Sequence, residues 1–219
     1  MSKQFSILFC LYFALVVSSQ GFTVSQKDSL KLSLEKAKES NDVKKEIDIL
    51  NRLTGHYLGE FPYDTAIHYI KQAEKKATAV NYTKGLAAVY ANFGNYYYYR
   101  NDADKSLNNY SKALTLAGKL KDSLLLAKIY TGFGGVYYKK NNPIAALSYL
   151  QKALRYYKSL NHKAGIIRLN NNVGTIYKSL GNNERALDYY LENLELCKET
   201  NDSKYLSSTL NNMGLIYQS

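Results

Sequence analysis

The sequence predicts an all-α fold, a solenoid of antiparallel helix pairs stacked one on another. Three observations predict it. The 219 residues contain only two prolines, Pro62 and Pro143, so long helices are allowed almost everywhere. Apolar residues such as Leu86, Tyr90 and Phe93 recur at helical spacing. In addition, a pattern of glycine, tyrosine and small residues returns every 40 residues, which is typical of stacked repeats.

The repeat is visible in three columns of residues with a constant spacing of 40. The glycine column contains Gly94, Gly134, Gly174 and Gly214, and the tyrosine column contains Tyr57, Tyr97, Tyr137, Tyr177 and Tyr217. The small-residue column contains Ala66, Ser106, Ala146 and Ala186. A glycine inside a helix costs about 1 kcal/mol relative to alanine. Its recurrence therefore predicts a close contact between the two helices of a unit, with the small-residue column on the other side of that contact.

Each unit is predicted to hold two helices joined by a short polar turn. In the unit of residues 83–122 the helices are expected at residues 86–99 and 106–117, around a turn at residues 101–102. Asn142 is predicted to cap the helix that begins with Pro143. Thr83, Ser123 and Ser203 are predicted to cap the first helices of their units. The repeat array is expected over residues 44–219, in units of about 44–82, 83–122, 123–162 and 163–202 and a half unit at 203–219.

The amino-terminal residues 1–20 are predicted to be a secretory signal peptide. Lys3 supplies the positive charge, and residues 5–17 form an apolar stretch of 13 residues, too short to span a bilayer comfortably. Val17 and Ser19 offer the small side chains that a signal peptidase requires, so cleavage is expected after Ser19 or Gln20; the alternative is an uncleaved membrane anchor. The chain is thus predicted to be exported to the periplasm or cell envelope. Residues 21–43 are predicted to form a capping helix.

At the other end, residues 205–217 are predicted to form a first helix without a second helix after it. Its apolar face, which includes Leu206, Leu210 and Met213, would then be half uncovered. Repeat arrays normally end in a polar capping helix. The sequence therefore indicates a fragment, a truncated product, or an array whose cap is supplied by a partner.

The ordered motif of each unit resembles the tetratricopeptide repeat. Phe93-Gly94-x-x-Tyr97 is followed by Ser106, Tyr110 and Ala113, and the motif returns from Phe133, from Val173 and, without the glycine, from Leu53. The usual period of the family is 34 residues; the 40-residue unit resembles the kinesin-light-chain-like branch, whose second helices are longer. The resemblance implies a right-handed superhelical solenoid whose first helices line a concave groove, where members of the family bind a partner's peptide or helix.

The resemblance also implies which residues face the groove. They include Asn51, Ala88 and Thr131, and those predicted to bind the partner are Asn92, Asn95, Tyr98, Lys128, Arg168, Asn171, Asn172, Lys178, Asn211 and Asn212. A carboxamide can donate to and accept from a peptide backbone at once, while the lysines and the arginine would favour carboxylates. The alternative is that the asparagines only hydrogen-bond between adjacent helices. Asn92, Asn172 and Asn212 share one position of the 40-residue period and form an asparagine column, which Gly132 interrupts.

Charge and residue chemistry favour a binding protein over an enzyme. The formal net charge of +11 favours acidic partners, anionic membrane surfaces or nucleic acid, and export argues against nucleic acid. His56, His68 and His162 do not pair at metal-ligand spacing, and Cys197, in a column of mostly alanine, is predicted to be a small buried thiol. No cofactor, metal or catalytic residue is expected.

The sequence therefore predicts a protein-interaction scaffold in the cell envelope that binds a protein or peptide, preferably an acidic one. Membrane contact is expected only through an uncleaved signal or a segment after Ser219. The alternative is the extracytoplasmic sensory half of a membrane-bound regulator, because exported bacterial arrays of this family resemble such halves. Its histidine kinase or DNA-binding output domain would lie outside this sequence.

Overall fold

The computed structural model describes residues 25–218. Within this range the chain forms ten α-helices and no strand. The predicted signal peptide, residues 1–20, lies outside the described residues, as do residues 21–24 of the predicted capping segment. None of the helices described is long and apolar enough to cross a membrane.

The helices follow one another as α1 (Gln26–Glu39), α2 (Val43–Tyr57), α3 (Asp64–Ala79), α4 (Thr83–Tyr99), α5 (Ala103–Leu120), α6 (Ser123–Lys139), α7 (Pro143–Ser159), α8 (Lys163–Ser179), α9 (Asn183–Thr200) and α10 (Ser203–Tyr217). Each helix packs against the next, and the first helices of neighbouring units also touch: α2 contacts α4, α4 contacts α6, and α8 contacts α10. The predicted all-α solenoid of helix pairs is confirmed.

Most of the turns between helices contain a residue in the left-handed backbone conformation. A residue with positive φ recurs at intervals of 20 along much of the chain: Asn81, Asn101, Lys121, Asn141, Asn161, Gly181 and Asn201. Asparagine and glycine tolerate this left-handed conformation better than other residues. At Asn101 the turn is closed by a bond of 2.9 Å from the backbone N–H of Asp102 to the carbonyl of Tyr97. The next helix then begins at once, so neighbouring helices run antiparallel.

The caps of the first helices lie one residue earlier than the sequence predicted. Thr83, Ser123 and Ser203 are the first residues inside their helices, so their predicted capping role is wrong. Asp122 accepts from the backbone N–H of Leu125 at 2.9 Å, and Asp202 caps α10 in the same way. The residue before Thr83 is a tyrosine that makes no side-chain cap bond. The prediction for the helix that starts at Pro143 is confirmed, since Asn142 accepts from the N–H of Ala145 at 3.0 Å.

The glycine column makes room for a large side chain of the second helix. A Cβ built on Gly94 would lie 2.5 Å from the ring of Tyr110, and Tyr190 would stand as close to one on Gly174. The small-residue column, which we predicted to be the other half of the contact, is only part of it. Ser106 reaches Gly94 by donating its hydroxyl to the carbonyl of that glycine at 2.7 Å. The close approach of α4 and α5 therefore depends on the glycine, the serine and the tyrosine together.

Candidate functional site

The first helices α2, α4 and α6 lie side by side and enclose an open groove of about 610 Å³, which we call the first-helix groove. Most of the residues that line it are polar, although their exposed apolar atoms also form part of its walls. The lining side chains from α2 are Asp48, Asn51, Arg52 and His56, those from α4 are Lys84, Ala88, Ala91, Asn92 and Asn95, and those from α6 are Leu124, Leu125 and Lys128. Gly55 also lines the groove, and a side chain built there would meet no atom within 4 Å.

Three cations from three first helices interact across this face of the array. The pKa of Lys128 lies below its usual value, chiefly because the surrounding groove walls desolvate its ammonium group. The charges of Arg168 and Arg52 lower it further, while Asp122 acts in the opposite direction. Within residues 25–218 neither Arg52 nor Lys128 forms an ion pair or a side-chain hydrogen bond, and Arg168 donates only to the hydroxyl of Tyr157, at 3.1 Å. An anion that entered the groove would relieve this repulsion.

Three of the predicted asparagines take part in hydrogen bonds between neighbouring first helices. Asn92 donates to the backbone carbonyl and the side-chain oxygen of Asn51, at 3.1 and 3.0 Å. Asn212 donates to the side-chain oxygen of Asn171 at 3.0 Å. The second pair lies three units after the first, so the same bond joins α2 to α4 and α8 to α10. At these two places the asparagines act as the alternative prediction described, and their part in partner binding stays a prediction.

Tyr110 takes the place of this bond between α4 and α6. Its ring passes from α5 between the two first helices, and its hydroxyl donates to the side-chain oxygen of Asn95 at 2.6 Å. A Cβ on Gly132 would lie 2.2 Å from the carbon that carries this hydroxyl, which explains why a glycine interrupts the asparagine column. Burial raises the pKa of Tyr110, so its hydroxyl remains a neutral donor at the floor of the groove.

The other predicted residues lie apart from the first-helix groove. Asn172 and Asn211 are exposed on α8 and α10, and Lys178 is half-buried near the end of α8. Tyr98 packs against α6, where the ammonium of Lys139 lies 3.9 Å from its ring centre. The structure thus brings together Asn92, Asn95 and Lys128 and places Arg168 within electrostatic reach of them.

Sequence reasoning missed several residues of the groove, among them Arg52, Asp48 and Gly55. Arg52 occupies the same column as Asn92, and Asp48 the same column as Lys128, so the 40-residue period could have identified both. Their significance depends on how neighbouring units are placed, which the period alone does not give.

No cluster of three metal-ligating side chains occurs in the described part of the chain. Cys197 is fully buried, and burial raises the pKa of its thiol, so the prediction of a small buried thiol is confirmed. His68 lies 2.8 Å from the amide nitrogen of Gln72 on the same exposed helix face. Cys197 therefore packs in the core and His68 bonds within its own helix, and neither belongs to a cluster of metal-ligating residues in the described part of the chain.

Comparison with solved structures shows the same architecture in other proteins. The chain superposes on BtubC (BKLC) from P. vanneervenii with a TM-score of 0.71, at 20% identity over 88% of this chain and 82% of that one. It matches a Rap protein in complex with Competence and Sporulation Factor with a TM-score of 0.70, at 15% identity over 90% of this chain and 65% of that one. At these identities the likeness concerns the fold alone.

A third neighbour is a much longer protein, the signal transduction ATPase with numerous domains from Pyrococcus horikoshii, which has a tetratricopeptide repeat sensor. The TM-score is 0.68, at 19% identity over 94% of this chain and 32% of that protein. No curated protein sequence matches significantly. A sequence model described as tetratricopeptide repeat matches residues 85–159 and 165–219. Because this match takes in more than half of its residues, the chain belongs to the tetratricopeptide repeat family.

Proposed function

We propose that this protein is an interaction scaffold whose first-helix groove binds an acidic segment of a partner protein. The observation that carries the proposal is the convergence of Arg52, Lys128 and Arg168, none of which forms an ion pair within residues 25–218. The two carboxylates nearby already have partners. Asp48 accepts from the hydroxyl of Tyr82 at 3.2 Å, and Asp122 caps α6. Both carboxylates keep their charge but accept from groups of the fold, whereas Arg52 and Lys128 have no ion-pair partner among the described residues and can pair with a carboxylate of a ligand.

The energetics of the groove favour a carboxylate ligand. A hydrogen bond to a charged group contributes about 1.5–3 kcal/mol, more than one between neutral groups. Lys128 is already partly desolvated, so pairing it with a carboxylate costs less additional desolvation than pairing an ammonium in open water. A volume of about 610 Å³ lies within the usual size of ligand pockets and holds a few residues of an extended segment or one turn of a helix.

Selection from a peptide library tests this proposal without knowledge of the natural partner. Peptides displayed on phage are selected on the full chain and on the variant Gly55→Glu, which places a carboxylate in the groove where the new side chain meets no atom within 4 Å. We expect the wild-type selection to enrich aspartate and glutamate, and the binders to lose affinity for Gly55→Glu and for Lys128→Ala. The control is Gly118→Glu, at an open glycine elsewhere on the array, which should keep the binders.

Two results would refute the acidic-segment proposal. One is a selected consensus without acidic residues, and the other is a set of binders whose affinity Gly55→Glu and Lys128→Ala leave unchanged. Circular dichroism of each variant at 222 nm separates loss of binding from loss of fold, because the chain is helical throughout its described length.

We also infer that the protein acts outside the cytoplasm, with residues 1–20 as a cleaved signal. Lys3, the apolar stretch at residues 5–17 and the small residue Ser19 support this. The intact mass of the mature chain recovered from the envelope fraction checks it. Loss of 19 or 20 residues is expected, and a full-length mass would refute cleavage.

The second candidate function is that of a sensor, in which ligand binding to this array controls an output domain. The supporting observation is the structural likeness to an ATPase from Pyrococcus horikoshii, whose tetratricopeptide repeats are described as its sensor. The coding sequence after Ser219 distinguishes the two functions. An apolar stretch of about 20 residues followed by a kinase or DNA-binding domain supports the sensor, and a polar capping helix supports the free scaffold.

A further inference from the structure

A second open surface lies on the side of the second helices. Two hollows of about 420 and 460 Å³ lie along α5 and α7, and the rings of Tyr130 and Tyr156 line both of them. These two rings are stacked, with centroids 5.9 Å apart and an interplanar angle of 14°. We call this surface the second-helix groove. Among its other lining residues are Leu114, Gly118, Lys152 and Arg155.

The second-helix groove is open because α5 has a glycine at its edge. A side chain placed on Gly118 would meet no atom within 4 Å, so a wide space remains beside this residue. One unit further along the chain the equivalent residue is Lys158, whose ammonium bridges to Glu192 of α9 at 2.7 Å. A long side chain and its ion pair thus cover the surface between α7 and α9. Between α5 and α7 the described residues form no such pair, because Gly118 and Lys152 stand where the next unit has Lys158 and Glu192.

The second-helix groove is also strongly basic. Lys152 lies over the rings of Tyr130 and Tyr149, at 5.8 and 5.2 Å from their centres, and Arg155 lies beside it. Neither α6 nor α7 contains an aspartate or glutamate. From residue 105 to residue 183 the sequence has thirteen lysines and arginines and a single acidic residue, Asp122. An occupant of this groove must therefore bring carboxylates together with an apolar side chain for the hollows.

Helix α9 of this chain has that chemistry. Along α9 an exposed stripe runs through Glu184, Asp188, Leu191 and Glu195, which are three or four residues apart and therefore share one helix face. Leu191 is 51% exposed, so it is an uncovered leucine between carboxylates. We call this stripe the α9 crest. Within its own chain α9 is held by α8 and α10, so the crest is presented outwards.

We propose that the second-helix groove binds the α9 crest of a second copy of this chain. The leucine of the crest would enter a hollow beside the stacked tyrosines, and its carboxylates would face Lys152 and Arg155. Because groove and crest lie in one chain, two copies related by a twofold axis make the contact twice and form a closed dimer. If the contact is made once, the copies join head to tail. In both arrangements self-association weakens as salt screens the charges.

Sedimentation velocity of the full chain at low and high salt tests this proposal. We expect concentration-dependent self-association at low salt that falls at high salt. Gly118→Glu, which adds a carboxylate that competes with the crest for Lys152 and Arg155, should fill the groove and give a monomer. Gly55→Glu is the matched control, because it adds the same side chain at an equally open glycine of the other groove and should associate like the wild type.

A charge exchange makes the test specific to the two surfaces. Lys152→Glu with Arg155→Glu reverses the groove, and Asp188→Lys with Glu195→Lys reverses the crest. Each double variant alone should be monomeric, whereas a mixture of the two should associate again through the unaltered surface pair and the doubly reversed one. A wild type that is monomeric at every concentration and salt overturns the proposal, and so does association that either reversal leaves unchanged.

This inference is independent of the proposed peptide binding. Gly55→Glu removes peptide selection alone, and Gly118→Glu removes self-association alone. Failure of one result therefore leaves the other standing.

Discussion

The position of Tyr110 between α4 and α6 predicts that the same substitution has opposite effects at two helical glycines. We compare Gly132→Ala with Gly118→Ala. A Cβ on Gly132 would lie 2.2 Å from the tyrosine ring, whereas one on Gly118 meets nothing within 4 Å. Alanine raises helix propensity at both positions. Only at Gly132 does it also collide with a buried side chain.

The magnitude follows from the contacts. Replacing glycine by alanine inside a helix stabilises by about 0.5–1 kcal/mol when space is free, and this is the expected effect at Gly118. At Gly132 the ring cannot retreat, because Gly94 holds its other side at a distance that admits no further atom. Forcing a methyl group into a packed core costs about 1–3 kcal/mol, and displacing the ring also breaks the hydroxyl's bond to Asn95, a loss of about 1 kcal/mol. We expect Gly132→Ala to lower the free energy of unfolding by about 1–3 kcal/mol.

Urea unfolding followed by circular dichroism measures both variants under the same conditions. Repeat arrays can unfold in several steps, so the midpoints of the transition at 222 nm are compared first. The variant Tyr110→Leu, which carries the leucine found at Leu150 of the next unit, supplies the control. In this background Gly132→Ala should lose most of its cost. If Gly132→Ala raises the midpoint as Gly118→Ala does, the account of this contact is wrong.

Two further predictions concern polar side chains. Desolvation, with Asp48 close by, raises the pKa of Tyr82 from 10.0 to about 12. Because the folded state favours the neutral phenol, the free energy of unfolding should hold below pH 10 and fall as the pH rises towards 12, which urea titrations at several pH values measure. Tyr82→Phe should reduce this fall. Asn170 is fully buried, and its amide has no hydrogen-bond partner among the described residues. Asn170→Leu, which introduces the residue found at Leu50 in the same column, should therefore raise the urea midpoint by an amount equivalent to about 1–3 kcal/mol.

The fold could be predicted because its determinants are local and repeated. Helical spacing and turn residues are properties of short segments, and the 40-residue period gives the pairing of helices without knowledge of distant contacts. The caps could not be placed as well. Asp122 and Ser123 are adjacent and both are good capping residues, so only the backbone decides between them, and it begins the helix after the aspartate.

The candidate site depended on long-range placement and was only partly predictable. The period suggests that residues 40 apart are equivalent, but the bond from Asn92 reaches Asn51, which is 41 residues away. The convergence of Arg52, Lys128 and Arg168 arises from the way three units are stacked. No pattern within one unit contains that information.

The joints between first helices are unequal, and this has a mechanical consequence. Side-chain amides fasten α2 to α4 and α8 to α10, and Tyr110 fills the joint between α4 and α6. At the joint between α6 and α8, Thr131 stands at the position of Asn51 and Asn171 and donates its hydroxyl to the carbonyl of Ala127 in its own helix, while the positive charges of Lys128 and Arg168 repel each other. We therefore expect this joint to be the most compliant one in the array. An acidic segment that paired with both cations would link α6 to α8 and bring the two halves of the solenoid closer together.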